Sequence, residues 1–304
     1  MRILRPNPRR AGIGAALLSF LIWGFSPLYY RALDSTPALE ILSHRVVWSL
    51  LFTLALILPM GQWPALSGVF RAPRLLLTLL PSALLLGVNW LAFIWAVNNG
   101  RALEASMGYF IFPIVMLLLG RWFLGERLNR AQQLAVALVV LGVLNLMVLQ
   151  YRLPWIALLL AVTMGFYSLL RKQAAVESLV GLTVECLLLF PAAILYLAWL
   201  AEEGTLVFGS RGAALDLLLA ASALVTALPL LLYNFATRRL RLGTVGLIQY
   251  LSPSCQFLLA VLLFGEPFTR PHLYTFLLIW GGLLLFSLDS HRRLRRELQA
   301  PPVR

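Results

Sequence analysis

Residues 104–126 read EASMGYFIFPIVMLLLGRWFLGE, an apolar stretch with a proline near its middle and a Gly-Glu pair at its end. A helix needs about 20 mostly apolar residues to cross a bilayer, so this stretch predicts a membrane span. Residues 244–266, TVGLIQYLSPSCQFLLAVLLFGE, repeat the arrangement at an offset of 140, with Pro253 matching Pro113. The two stretches together predict a membrane protein built from two related halves.

Eight further stretches have the same apolar character. Of the 304 residues, 61% are hydrophobic and only 12% are charged, whereas a soluble domain has roughly 25% charged residues. The connections are short and contain most of the charges, so no separate soluble domain is expected. The ten predicted spans are 12–30, 39–60, 75–97, 104–123, 131–149, 154–170, 179–200, 214–236, 244–264 and 272–288.

The repeat extends beyond the two quoted stretches, because the same offset places Gly142 on Gly282. Each half then holds five spans, and since five is odd the second half enters the membrane from the opposite face. The predicted fold is an all-α polytopic membrane protein with ten transmembrane helices arranged as two inverted five-helix repeats. The predicted domains are residues 1–150, residues 151–290 and a cytoplasmic basic tail at 291–304.

The net charge of +13 follows the predicted topology. With the N-terminus inside, 19 of the 25 lysines and arginines fall in cytoplasmic segments, five fall outside, and Arg45 lies within a span. This asymmetry predicts a bacterial inner-membrane protein with both termini in the cytoplasm. The basic residues are spread over six segments, so they indicate contact with anionic lipid and argue against nucleic acid as a partner.

Several kinds of site are excluded by residue counts and spacing. Cys186 and Cys255 are too few for a disulfide framework or a multi-cysteine zinc site. The three histidines show no metal-ligand spacing, and no Walker motif is present. We therefore predict no metal site, no cofactor and no catalytic site, and we do not expect the chain to be an enzyme.

Several long motifs resemble the RarD family of bacterial permeases, a branch of the drug/metabolite transporter superfamily with EamA-type halves. One position departs from that family's pattern, because Phe112 stands before the first-half proline where family members often have Asn. The resemblance implies a permease and leaves its solute open. The matching segments are Trp23–Pro27, Glu40–Ser49, Asn89–Asn99, Leu103–Ile111, Leu124–Arg127 and Thr237–Leu242.

Three ionisable residues lie inside the predicted spans, where a charge costs about 2.5–3.5 kcal/mol at the bilayer centre. His44 and Arg45 lie in the second span, and Glu185 lies in the seventh, aligned with His44 at an offset of 141. We interpret Arg45 as a binding group for an anion or a carbonyl, and Glu185 or His44 as a group that titrates during transport. Alternatively, Arg45 and Glu185 extend to the nearer membrane surface or pair with a neighbour.

Weaker signals come from amides, aromatic rings and prolines within the spans. Pro113 and Pro253 are candidate hinges, with a static kink as the alternative. Glu40 is expected at a solvated helix start, and Glu126 and Glu266 are expected to cap turns. Further candidates for solute binding, which could equally serve helix packing or an interfacial belt, are Trp48, Asn89, Trp90, Gln249 and Tyr250.

The function that these features predict is secondary transport. Inverted halves that exchange conformations can open a central site to either side of the membrane in turn, so we expect a permease for a small organic metabolite or drug-like solute. Proton coupling stays open. The alternatives are a non-transporting membrane scaffold or sensor, and a membrane-embedded enzyme. The expected partners are a small-molecule solute and membrane lipid, and the sequence leaves both a monomer and a homodimer open.

Overall fold

The computed structural model describes residues 8–125, 127–174, 176–240 and 242–299, and in this part of the chain every regular element is helical. Glu126 and the end of the predicted tail, 300–304, lie outside the described residues. The helices are α1 (Pro8–Arg31), α2 (Ala38–Ile57), α3 (Trp63–Phe70), α4 (Pro73–Asn98), α5 (Ala102–Leu124), α6 (Arg130–Gln150), α7 (Trp155–Ala174), α8 (Ser178–Glu202), α9 (Ala213–Thr237), α10 (Leu242–Gln249), α11 (Leu251–Leu258), a π-helical turn (Leu259–Leu263) and α12 (Arg270–Gln299).

Ten segments of the described chain are long and apolar enough to cross a membrane, which confirms the predicted all-α polytopic fold. The ninth span, Thr244–Leu263, combines α10, α11 and the π-helical turn. The short helix α3 was not predicted. It forms because Pro64 occupies its first turn, where a missing N–H costs nothing, and because Leu66 and Val69 are buried in a cluster with residues of α8.

Pro113 and Pro253 affect their helices differently, although they occupy matching positions. Helix α5 continues through Pro113, whereas the ninth span divides at Tyr250 into α10 and α11. Proline lacks the N–H that would bond to the carbonyl four residues earlier, which for Pro253 is the carbonyl of Gln249. The division thus falls directly after the released carbonyl. Hinge motion at either proline stays a prediction.

The helices of the first half, α1, α2, α4, α5 and α6, can be matched in order with α7, α8, α9, α10–α11 and α12 of the second half. With this matching, equivalent helices of the two halves make equivalent contacts with the opposite half. Helix α4 packs on α7 as α9 packs on α1, and α5 packs on α7 as α11 packs on α1. The glycines of the matched Gly-Glu pairs, Gly125 and Gly265, have left-handed backbone with φ of +67° and +66°. This correspondence favours the inverted repeat, which stays a prediction.

The matched glycines Gly142 and Gly282 both lie where α6 and α12 touch. A Cβ atom added to Gly282 would lie 2.8 Å from the carbonyl oxygen of Ala135, and one added to Gly142 would lie 3.1 Å from that of Thr275. Small residues at such crossings let two helix backbones approach closely within a membrane. The two glycines therefore set the separation of the last helix of each half.

We expect Gly282→Leu to destabilise the protein by about 2 kcal/mol, because the new side chain must force α6 away from α12. Gly281→Leu is the matched control, since a Cβ atom at Gly281 meets nothing within 4 Å. Both changes add the same side chain to the same helix, so their difference isolates the contact. Thermal unfolding of the two variants in detergent measures it, and equal melting temperatures would contradict the prediction.

Candidate functional site

A cavity of about 370 Å³ lies between the first half (α1–α6) and the second half (α7–α12). Leu124 and Lys172, at the ends of α5 and α7, are exposed at its rim. Three residues singled out from the sequence, Pro113, Gln249 and Tyr250, line its wall. The other lining residues are mostly apolar and are Phe112, Met116, Leu117, Leu119, Gly120, Leu169, Gly246 and Phe286.

Asn89 joins three helices, and one of its partners, Tyr109, lies on the same helix as the cavity residue Pro113. Its amide nitrogen donates to the Leu160 carbonyl at 3.0 Å and to Thr163 Oγ1 at 2.9 Å, and its Oδ1 accepts from the Tyr109 hydroxyl at 3.1 Å. Tyr109 precedes Pro113 by one turn of α5, about 6 Å along the helix. A buried amide needs such partners, and Asn89 therefore ties α4 to α5 and α7.

Arg45 is buried against Trp90, the neighbour of Asn89 on α4. Its guanidinium carbon lies 3.9 Å from the centre of a Trp90 ring, and its Nε donates to Thr226 Oγ1 at 2.9 Å. The Tyr30 ring lies 5.7 Å from the same carbon. Among the described residues no carboxylate lies within ion-pair distance of Arg45. The side chain is thus held inside the bundle and does not extend to the membrane surface.

Glu185 is also fully buried, and its partners come from α4 and α7. Its carboxylate accepts hydrogen bonds from Ser82 Oγ at 2.6 Å and from the Tyr167 hydroxyl at 3.3 Å. The Nε of Arg171 lies 3.6 Å from the carboxylate and completes an ion pair. Glu185 therefore pairs with Arg171, and not with Arg45.

The sequence interpretation missed Arg171 because it assigned this residue to the connection after the sixth span. Helix α7 instead continues to Ala174, and Arg171 lies one turn after Tyr167 on the same face. Gly181 on α8 leaves room for the guanidinium, since a Cβ atom there would collide with it. The sequence could have indicated this position, because residues four apart, such as Tyr167 and Arg171, lie on the same face of a helix.

His44 and Trp48 lie away from the cavity lining. The His44 ring stacks on Phe208 at 4.8 Å, and its Nε2 lies 4.0 Å from the carboxylate of Glu40. Trp48 borders a shallow apolar hollow between α2 and α9. The expectation of a solvated Glu40 is wrong, because Glu40 is fully buried and accepts the backbone N–H of Val207 at 2.8 Å.

Three carboxylates join the two halves at the side opposite the cavity. Besides Glu40, Glu104 accepts the backbone N–H of Ile156 at 2.9 Å. Glu266 accepts those of Ala102 and Leu103 at 2.7 and 2.8 Å, so it caps α5 from the other half. Burial raises the pKa of the Glu266 carboxyl above its usual value, although these N–H groups, Arg31 and Arg101 act in the opposite direction.

The described part of the chain contains no group of three or more His, Cys, Asp or Glu side chains that could hold a metal ion. Cys186 is buried, and both cysteines are free thiols. The polar groups of the bundle interior are thus hydroxyls, amides and the charged side chains described above.

Comparisons with known proteins give a consistent picture. The EamA-like transporter family matches residues 10–148 and again residues 153–288. An uncharacterized transporter of Vibrio cholerae is 46% identical, over 92% of this chain and 93% of its own. The RarD proteins of Salmonella typhi and Escherichia coli are 46% and 44% identical, over 95% and 94% of this chain and 98% and 97% of their own.

A solved crystal structure has a similar fold, with a TM-score of 0.57 at 16% sequence identity. The similarity covers 93% of this chain and 99% of that one. At this identity the likeness concerns the fold alone.

Proposed function

The chain belongs to the EamA-like transporter family and is a multi-pass membrane transporter, not an enzyme, and from this premise we propose that it moves a small organic solute across the bacterial inner membrane by alternating access. Its two family matches fall on the two predicted halves. Swapping the conformations of two inverted halves would carry a site between them from one side of the membrane to the other.

The observation that carries this proposal is the difference between the two sides of the bundle. On one side the cavity reaches the surface beside Leu124 and Lys172. On the other, Glu40, Glu104 and Glu266 each bind backbone N–H groups of the opposite half. A transporter held open to one side and closed to the other has this form.

The distribution of charge supports an inward-open assignment for the conformation. The cavity lies at the ends of α5 and α7, and these ends and the residues that follow them carry basic residues of the predicted cytoplasmic set, such as Arg121, Arg171 and Lys172. The three carboxylate contacts lie at the predicted outer side. With both termini in the cytoplasm, the cavity would face the cytoplasm.

The proposed path runs from the cavity past the Asn89 bridge to Arg45 and Trp90, with Gln249 and Tyr250 on its inner wall. Glu185 and His44 are the groups proposed to exchange protons. Transport into proteoliposomes can be measured with and without a pH gradient. Equal rates would contradict the hypothesis of proton coupling but not the proposed transport function.

Thiol labelling tests alternating access. In a Cys255→Ser background, we expect a membrane-impermeant reagent to label Gln249→Cys from the cytoplasmic side, because Gln249 lines the cavity. Ser222→Cys, on α9 one turn outside Thr226, is fully buried in the inward-open form. We expect Ser222→Cys to react from the outer side at least about tenfold more slowly than Gln249→Cys reacts from the cytoplasmic side.

Addition of a transported solute should then raise the outer-side rate of Ser222→Cys and lower the rate at Gln249→Cys. Rates that change together, or an outer rate that stays at zero under turnover, would contradict alternating access.

A further inference from the structure

We propose that the transported solute is a small organic monoanion, and that its carboxylate binds between Arg45 and Tyr30. This inference rests on the proposed transport function and adds the chemical class of the solute. Arg45 and Glu185 are both buried in the bundle, but they differ in their partners.

Within the described residues, the charge of Glu185 has an ion-pair partner, whereas that of Arg45 has none. Glu185 pairs with Arg171 and accepts two hydroxyl hydrogen bonds. In the described spans, Arg45 is the buried basic side chain without a carboxylate beside it, and its exposed fraction is only 6%. A charge inside a membrane is costly unless it is paired, so the binding of one negative charge beside Arg45 would be favourable.

The hydrogen-bonding groups at Arg45 point to a carboxylate as the bearer of that charge. Thr226 accepts from Nε, and Trp90 covers one face of the guanidinium. Within the described residues, the hydrogen bond of good geometry that Arg45 donates comes from Nε, and the other polar group beside the guanidinium is the Tyr30 hydroxyl. The planar fork of the guanidinium nitrogens matches the two oxygens of a carboxylate.

A buried hydroxyl lies beside this fork. Within the described residues, the Tyr30 hydroxyl makes no hydrogen bond of good geometry, and the polar group that it faces is the guanidinium of Arg45. The Tyr30 ring lies 5.7 Å from the guanidinium carbon of Arg45. The hydroxyl and the guanidinium are both donors, and a carboxylate oxygen would supply the acceptor that each of them needs.

The surroundings favour an apolar body behind the carboxylate. The Trp90, Phe93 and Tyr109 rings lie around this region, with Phe93 5.9 Å from Tyr30 and 5.6 Å from Tyr109 between ring centres. The cavity itself, which is lined by Pro113 one helical turn from Tyr109, has a mostly apolar wall and about 370 Å³ of space. A single unpaired cation fits one negative charge, so a dianion or a neutral solute suits the site less well.

Matched acid and amide probes test the charge preference without depending on transport. We expect benzoate and phenylacetate to bind the purified full chain in detergent at least about tenfold more tightly than benzamide and phenylacetamide, as measured by thermal shift against ligand concentration. Arg45→Gln should remove this preference, and Tyr30→Phe should reduce it severalfold. Arg211→Gln, an exposed cation of the outer side, is the control and should keep it.

Equal binding of acids and amides by the wild-type protein, or no binding of either pair, would overturn the proposal. So would a preference for acids that survives Arg45→Gln. If Arg45→Gln does not fold, Tyr30→Phe decides, because it removes only a hydroxyl. The thiol-labelling rates report on alternating access separately, so a failed anion preference is distinguishable from a failed transport function.

Discussion

Replacing Arg171 by Met is expected to destabilise the protein by about 3 kcal/mol, because it leaves the carboxylate of Glu185 buried without its cation. Glu185 is fully buried, and Arg171 is its only ion-pair partner in the described structure. The remaining hydrogen bonds from Ser82 and Tyr167 do not replace the lost charge. Thermal and denaturant unfolding in detergent measure the effect.

The double variant Arg171→Met, Glu185→Gln distinguishes this cause from a simple loss of packing. It removes both charges, so we expect it to recover most of the stability that the single variant loses. Arg238→Met is the matched control, since Arg238 and Glu177 form an exposed pair at 3.7 Å that should contribute less than about 1 kcal/mol. A double variant no more stable than Arg171→Met would contradict the interpretation.

Replacing Glu266 by Ala is expected to open the outer side of the transporter. The change leaves the N–H groups of Ala102 and Leu103 without an acceptor at the start of α5. Loss of such a cap costs about 2 kcal/mol, which corresponds to about a 30-fold shift in population. We therefore expect Ser222→Cys to react from the outer side about 30-fold faster in the Glu266→Ala background.

Asp34→Ala provides the control for this experiment, because Asp34 is an exposed acid of the same side whose contact with Arg31 spans 3.9 Å. It should leave the labelling rate unchanged. If Glu266→Ala lowers the melting temperature while the outer labelling rate stays constant, then Glu266 stabilises the start of α5 but does not hold the two halves closed.

In the proposed transport cycle, helix α5 connects the opening of the outer side with solute binding. Glu266 caps its first turn, Tyr109 bonds to Asn89 in its middle, and Pro113 lines the cavity beyond. A movement of this helix would therefore change the outer contact and the cavity together. The thiol rates at Gln249→Cys and Ser222→Cys report on the two ends of that movement.

Sequence alone predicted the features that depend on local composition. The ten spans were found because a bilayer-crossing helix requires about 20 apolar residues in a row. The matched Gly-Glu pairs at Gly125 and Gly265 were found by their offset of 140, and both glycines have the left-handed backbone that favours this residue. Gln249, Tyr250 and Pro113 were singled out as polar or helix-breaking residues in apolar surroundings, and all three line the cavity.

Tertiary structure decided which charged groups meet. Glu40 looked like a solvated helix start, yet the segment before α9 covers it and supplies its hydrogen bond. Glu266 was expected to cap a turn, but it caps a helix of the other half, 164 positions away. Arg171 looked like part of a connection, and only the packing of α7 against α8 and α4 brings it to Glu185.

The difference between what the sequence predicted and what the tertiary structure decided has a physical reason. Hydropathy, turn conformation and the effect of proline act between residues close in sequence, so a single chain records them directly. Ion pairs and helix caps between halves depend on the rotation and depth of each helix, and hydropathy does not fix these quantities. The sequence thus determined ten spans and predicted that they form two matching sets, and the packing of the helices decided that Glu185 has an ion-pair partner whereas Arg45 has none among the described residues.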